Sequence, residues 1–379
     1  MNISHLSLAN FRNFSSLELE LPPGIAIFHG GNAQGKSNLL EAIYFLATSR
    51  SLRAESDTEL INKAAPEPCL RLYGRVERGQ DRVELEVSVA TWAGGGTRKR
   101  IRVNGIPRRA SDLVGRLNVV IFTPEDIELI YGAPTLRRRY LDITCSQVDH
   151  RYLRALQRYT KVLTQRNSLL RLIGEGQARA SELGFWNGEL VGNGAYLMAQ
   201  RQALVGALGE LARTVHSNLT AAEELLEICY IPSLPLGLEA PLEAIEATFA
   251  TALEAGQDRE IAQGMTLVGP HRDDLRFLVN GLDMDSFGSR GQQRTIALAL
   301  KLAEASLMRS RVGEPPVLLL DDVLSELDSR RRVQLLGSLQ GDEQVLITAT
   351  DLDHFLPDFV ARASLFKISQ GRVEAVSVN

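Results

Sequence analysis

The sequence predicts an α/β protein in which one sheet-forming domain, residues 1–123 plus 265–379, is interrupted by a mainly helical insertion, residues 124–264. Three observations predict it. The first third of the chain alternates or runs apolar in short segments bounded by turn residues. From about residue 124, apolar residues recur at spacings of three and four. After about residue 265 short apolar runs resume, now separated by helical segments. The length of 379 residues suits two or three domains, and 44% hydrophobic with 23% charged residues is ordinary for a globular chain. Disordered and collagen-like classes are excluded. A net charge of −4 requires that any contact with polyanions come from local basic patches.

In chain order, ISHLSLANF and LELELPPGIAIFHG read as strands, with Pro22, Pro23 and Gly24 turning the chain between two of them. A glycine-rich turn then leads into the amphipathic helix SNLLEAIYFLA. CLRLYGRVER, RVELEVSVATW and TRKRIRV are strands, and Asn104-Gly105 is a hairpin turn. LNVVIF is a buried strand. PEDIELIYGAPTLRRRYLD and HRYLRALQRYTKVLTQRNSLLRLI have helical spacing, and a second long helix is predicted over roughly 182–219. LEICYIP is a short strand, followed by a helix near 242–256. LRFLVNG is a strand, a helix starts near Gly291, and PPVLLLDD, EQVLITATD and SLFKIS close the domain as strands.

Cys69, Cys145 and Cys229 are scattered and odd in number, which suits neither a disulfide framework nor a zinc site but a reducing compartment. MNISHLSLANFRNF has no basic stretch followed by an apolar run, so no signal peptide is expected. Apolar stretches such as IALALKLAEASLM are interrupted by charge before reaching the about 20 residues of a membrane span. The expectation is a cytoplasmic protein with no membrane partner.

Three motifs carry chemistry. Gly30, Gly31, Asn32, Ala33, Gln34, Gly35, Lys36 and Ser37 match G-x-x-x-x-G-K-[ST] between a strand and a helix, the setting this phosphate-binding loop requires. The glycines let backbone N–H groups turn toward phosphate, and the helix N-terminus adds a favourable dipole. Lys36 reaches the β- and γ-phosphates of ATP and Ser37 ligates Mg2+. In VLLLDD, Asp321 ends a buried strand where a P-loop protein holds Mg2+, and Asp322 stands where a general base orients water. Ser289, Arg290, Gly291 and Gln292, just ahead of a helix, resemble the ABC signature. A second anion site at that helix start implies an ATP-sandwiched homodimer, because a second chain presents the signature to the P-loop. Ser325-Glu326-Leu327-Asp328 then falls where the ABC D-loop would be.

These motifs, with LSLANFRNF, TPEDIELIYGAPTLRRRYLD, YTKVLTQRNSLL, GPHRDDL and SRGQQRT, resemble the RecF family over nearly the whole chain. The resemblance implies an SMC- and Rad50-like ABC-type P-loop ATPase head, a mixed sheet with an antiparallel β subdomain, and a short helical arm in place of a long coiled coil. It implies an ATP- and DNA-binding protein of replication and recombinational repair that dimerises on ATP; a DNA-dependent ATPase is expected, slow because the Asp322 side chain is about one C–C bond shorter than the usual Glu. It further implies action on single-stranded or gapped duplex DNA, work with RecO and RecR to load RecA, and a link to SOS induction.

Two departures from the general ABC pattern stand out. Asp322 replaces the usual Glu, and Thr350 stands where many ABC proteins place a switch His. No clean Q-loop glutamine is visible; the segment at Glu125 and Asp126 is the candidate. Arg12 and Asn13 suit either the nucleotide's surroundings or an exposed turn. Arg98, Lys99, Arg100, Arg102, Arg108 and Arg109 form a patch without an acidic residue, which suits DNA phosphate as well as a solvated hairpin face. Arg137, Arg138 and Arg139 suit DNA phosphate too, with pairing inside the molecule the favoured expectation, and His271-Arg272-Asp273-Asp274 is expected to serve an interdomain or dimer interface. The competing readings are the nucleotide-binding subunit of an ABC transporter and a small-molecule kinase. A transporter subunit has its two phosphate motifs much closer in sequence than Lys36 and Ser289, and a kinase has no use for the signature.

Overall fold

The computed structural model describes residues 1–92, 96–237, 240–339 and 341–376. The chain forms two compact units, Met1–Asp126 with Glu304–Asn379, and Ile127–Ala303.

In the first unit, β1 (Asn2–Phe11), β2 (Phe14–Glu20), β4 (Cys69–Arg78), β5 (Asp81–Trp92), β6 (Gly96–Val103) and β7 (Ile106–Arg108) form an antiparallel sheet in the order β2-β1-β4-β5-β6-β7. Asn104 and Gly105 take positive φ, as the two-residue hairpin between β6 and β7 requires. The second sheet runs β15-β14-β3-β13-β12-β8, built from β3 (Ile25–His29), β8 (Val119–Phe122), β12 (Val317–Asp321), β13 (Val345–Ala349), β14 (Ser364–Ser369) and β15 (Arg372–Val376). All its pairings are parallel except β14 with β15, so the expected mixed sheet with an antiparallel partner sheet is present. Every residue of β8, β12 and β13 is buried, which explains why these strands read as unbroken apolar runs rather than alternations. The helix Lys36–Thr48 touches β4 and β5 of one sheet and β12 and β13 of the other. Buried on every side from Leu39 onward, it has little amphipathic character to display.

The second unit holds the helices Pro134–Val148, His150–Gly174, Leu183–Thr220 and Leu242–Gln263. A small sheet runs β11-β10-β9, from β9 (Leu226–Ile231), β10 (Asp274–Val279) and β11 (Leu282–Asp283). This unit reaches Ala303, whereas the sequence divided the chain at 264/265. The reason is pairing: β10 runs antiparallel to β9 from Asp274 opposite Ile231 to Val279 opposite Leu226, so the segment after 265 packs where β9 lies. The dividing point falls inside the helix Arg290–Val312.

Candidate nucleotide site

β3 delivers the chain to the loop 30–37 at the C-terminal edge of the parallel strands. Gly30 has φ +156°, and a Cβ there would lie 2.3 Å from the Ile368 carbonyl oxygen. Gly35, at the helix N-cap, has φ +114°, and a Cβ there would meet the Asn13 amide at 2.5 Å. Both positions therefore need glycine, for conformation and for space. The loop is framed from outside. Asn13 Nδ2 donates to the Gln34 carbonyl at 2.9 Å, and the Gln370 and Gly371 amides donate to Gln34 at 2.7 and 3.1 Å. Asn13 thus lies against the loop; Arg12 beside it makes a bidentate pair with the buried Glu41 at 2.8 Å through each nitrogen. Ser51 Oγ adds a hydrogen bond to Glu41 at 2.6 Å.

Lys36 Nζ donates to the carbonyls of Gly30 and Gly31 at 2.7 and 3.0 Å, folded back along its own loop. Burial lowers its pKa, and the Asp322 and Asp321 carboxylates oppose that shift. Ser37 Oγ donates to Asp321 Oδ1 at 2.8 Å, which joins the two Mg2+ candidates directly. The other Asp321 oxygen, Oδ2, accepts from Arg53 Nη2 at 3.0 Å, and the same nitrogen lies 3.5 Å from Glu125 Oε1. Asp322 follows with φ +52° and ψ +25°, a left-handed conformation rarely taken by a residue with a side chain. Burial raises its carboxyl pKa; the Lys36 ammonium opposes the shift and the Asp321 carboxylate reinforces it.

Sequence reasoning missed Arg53 and Thr348. Thr348, 1% exposed on β13, donates from Oγ1 to Asp321 Oδ1 at 2.8 Å and accepts the Asp322 N–H at 3.0 Å. Thr350, read as the counterpart of a switch His, donates to Asp351 at 3.2 Å. A hydroxyl on the strand beside VLLLDD was the available signal, yet it gains meaning only from the register that sets Thr348 opposite Asp321.

In the second unit, Ser289 opens its helix with a reciprocal cap. Gln292 N–H donates to Ser289 Oγ at 3.2 Å, and Ser289 N–H donates to Gln292 Oε1 at 3.0 Å. The cap uses the hydroxyl only as an acceptor. Arg290 stacks over the Tyr131 ring at 4.7 Å, and Gln292 Nε2 donates to Glu224 at 2.8 Å. Gly291 stands in the first turn, where a Cβ would meet only Ser289 Oγ, at 4.0 Å. Ser289 and Arg290 are exposed, and Phe287, two residues upstream, is 73% exposed.

The basic hairpin divides. On β6 the side chains of Arg98, Arg100 and Arg102 share the exposed face, with Arg102 3.9 Å from Glu86. Arg108 and Arg109 are exposed as well. Lys99 leaves the set: its Nζ donates to the Ser49 carbonyl at 2.7 Å, pairs with Asp57 at 3.0 Å and lies 4.4 Å over the Phe45 ring. Strand alternation turns it inward, where it holds the end of the Lys36–Thr48 helix. Trp92, 55% exposed on the face that carries Arg98, is an aromatic neighbour the sequence reading did not single out.

The GPHRDDL segment builds the helical unit. Arg201 is buried and reaches Asp142 at 2.8 Å, the Pro270 carbonyl at 2.6 Å and Asp273 at 3.7 Å. Tyr230 donates to Asp273, and Tyr159 hydrogen-bonds His271 Nδ1 at 2.7 Å. Arg137 forks onto Asp274 at 2.6 and 2.8 Å, and Arg138 donates to the Asp273 carbonyl at 2.9 Å. The expected internal pairing of Arg137 and Arg138 is present. These contacts all lie inside the unit Ile127–Ala303.

The family model of the RecF/RecN/SMC N terminal domain matches residues 2–369. The DNA replication and repair protein RecF of Chloroflexus aurantiacus is 46% identical over 392 aligned residues, covering 99% of this chain and 100% of the relative. The chain belongs to the RecF family. The RecF of Shouchella clausii is 39% identical, covering 99% of both chains. A solved structure of the recombination mediator protein RecF with ATPrS, in the RecFOR pathway, superposes with a TM-score of 0.89 at 34% identity, covering 99% of this chain and 98% of that one. An SMC head bound to a domain of ScpA shares the fold, with a TM-score of 0.56 at 15% identity. Membership in the RecF family over the full length sets the transporter reading aside. Among the described residues no helix is long and apolar enough to cross a membrane.

Proposed function

We propose that this RecF-family chain is an ATP-switched DNA-binding protein of replication and recombinational repair. In this reading it binds ATP with Mg2+, dimerises around the nucleotide, and hydrolyses it slowly in response to DNA. It acts in the cytoplasm at single-stranded or gapped duplex DNA with RecO and RecR to load RecA, a role that also feeds SOS induction. The observation that carries the proposal is the convergence of Lys36, Ser37, Asp321 and Asp322 at the edge of one sheet, with Ser37 and Asp321 joined at 2.8 Å.

The residues fit Mg2+. Ser37 Oγ and Asp321 Oδ1 are hard oxygen donors 2.8 Å apart, the donor type that a small hard cation takes. Bound Mg2+ supplies positive charge against the phosphate oxygens. The remaining work belongs to the chain. The loop N–H groups and Lys36 bind phosphate, with Lys36 exchanging its contacts to Gly30 and Gly31 for phosphate oxygens. Asp322 accepts the proton of the attacking water. Ser289 and the N–H groups behind it are offered to the nucleotide of a second copy. Arg98, Arg100, Arg102, Arg108 and Arg109 suit the DNA backbone through charge alone.

Lys36→Ala tests the assignment. A charge-assisted hydrogen bond contributes about 1.5–3 kcal/mol, so ATP affinity should fall at least about tenfold. Nucleotide titration of the folded variant reads it directly, and wild-type affinity would remove Lys36 from the site.

A further inference from the structure

We propose that Thr348 is a positioning residue for both acidic groups of the nucleotide site. The inference rests on the reading of Asp321 and Asp322 given above. A threonine hydroxyl has a single hydrogen and two lone pairs. Here Oγ1 donates to Asp321 Oδ1 at 2.8 Å, the nearer of its two acceptors, the Leu320 carbonyl lying at 3.4 Å, and a lone pair accepts the Asp322 N–H at 3.0 Å. One side chain therefore fixes the carboxylate of one aspartate and the main chain of the next.

Both effects matter to the chemistry. Asp321 Oδ1 also accepts from Ser37 Oγ at 2.8 Å, so two hydroxyls converge on one oxygen while Arg53 holds the other, which keeps the carboxylate in a single orientation. Asp322 takes φ +52°, a left-handed conformation that costs free energy for a residue with a Cβ and that hydrogen bonds to its peptide groups offset. Its N–H is held by Thr348 and its carbonyl by Ser325 Oγ at 2.7 Å. The turn is thus pinned at both ends of the residue whose side chain is the proposed base. Thr348 can act this way because β12 and β13 pair in parallel with Asp321 opposite Thr348, and because it is 1% exposed, where no water competes for the hydroxyl. The hydroxyl touches neither nucleotide nor metal on this account; it acts through the two aspartates.

Thr348→Val keeps the branched shape and removes the hydroxyl, and Thr348→Ser keeps the hydroxyl and removes the methyl group. The measurements are ATP titration and single-turnover hydrolysis by the full-length protein, as a double-mutant cycle with Asp322→Asn. Thr348→Val should bind ATP within about threefold of wild type, because Lys36 and the loop are untouched, and should hydrolyse it at least about tenfold more slowly. Thr348→Ser should restore the rate to within about threefold. Added to Asp322→Asn, Thr348→Val should slow hydrolysis by less than it slows wild type, because only its hold on Asp321 is left to lose. Wild-type turnover in Thr348→Val, or an unrescued serine variant, overturns the inference. If the valine variant does not stay folded, Thr348→Ala carries the same readings. The outcomes separate the two claims. Normal hydrolysis by Asp322→Asn removes the base assignment, whereas a slow Asp322→Asn beside a normal Thr348→Val removes the role of Thr348 alone.

Discussion

His271 shows what a conspicuous titratable side chain is doing when it is not catalytic. Burial lowers its pKa to about 4; the Thr266 carbonyl works against that, and Arg272, Arg138 and Arg201 reinforce it. The folded protein therefore holds the imidazole neutral between Tyr159 and Thr266 while an unfolded chain would take a proton below its ordinary pKa of about 6.5. Stability from this group is complete above pH 6.5 and is lost as pH falls toward 4, because the unfolded state then binds more protons. The span from 6.5 to about 4 corresponds to about 3 kcal/mol. Denaturant unfolding at pH 7 and pH 4 should show that wild type loses about 3 kcal/mol more than His271→Gln across that range. Equal losses would show that His271 is protonated without penalty. At this scale, legibility depended on how local the interaction is. The P-loop and Asp321 were readable because their residue types sit at fixed offsets beside a strand. The Arg12–Glu41 pair and the Arg53–Asp321 contact were not, because each partner lies on a different element and only the fold brings them together.

Strand β6 makes the same point for a whole element. Arg98, Arg100 and Arg102 project to solvent while Lys99, Ile101 and Val103 turn inward, so the period of two sorts a run of like charges into surface and support. That division was available in the sequence: Ile101 and Val103 mark the inner face, and Lys99 shares their parity. The triple change of Arg98, Arg100 and Arg102 to Ala should weaken DNA binding uniformly across sequences. It should also flatten the dependence of log affinity on log salt by up to about 2–3 units, one fraction of a unit per lost phosphate contact. ATP affinity should not move. Trp92, on the face that carries Arg98, provides a second readout, since its fluorescence should respond to DNA in wild type and lose that response in the triple variant. An unchanged salt slope would place the DNA surface elsewhere. Lys99→Ala belongs to another class: it removes the contacts to Ser49, Asp57 and Phe45, so it should lower the melting temperature and leave the salt slope alone.

At the scale of the whole molecule, the two ends of the chain make one sheet: β3 lies between β13 and β14, so the P-loop and Asp321 meet although the helical unit intervenes in sequence. The need to bring the motifs to one nucleotide made this closure readable in advance. The extent of the helical unit was less so, because β10 joins it by pairing with β9 and sequence alone does not reveal a partner that distant. The signature at Ser289 follows β10 and β11 and lies in the second unit, and its proposed task is performed on another copy. Ser289→Arg tests that task. Ser289 is exposed and its hydroxyl caps its own helix, so the substitution removes a cap for about 0.5–2 kcal/mol and leaves the P-loop untouched. ATP binding by the monomer should remain near wild type. Sedimentation with Mg-ATP should show that the dimer is lost, because the arginine fills the place where the partner's nucleotide would meet the helix start. A two-fold dimer uses this surface twice, so one substitution damages both sites and hydrolysis should fall with assembly. Mixed with Lys36→Ala protein, the variant can assemble at most one intact composite site, so full activity should not return. A normal dimer in Ser289→Arg would reduce the segment to a helix cap, and a lost dimer with lost ATP binding would point instead to a folding defect.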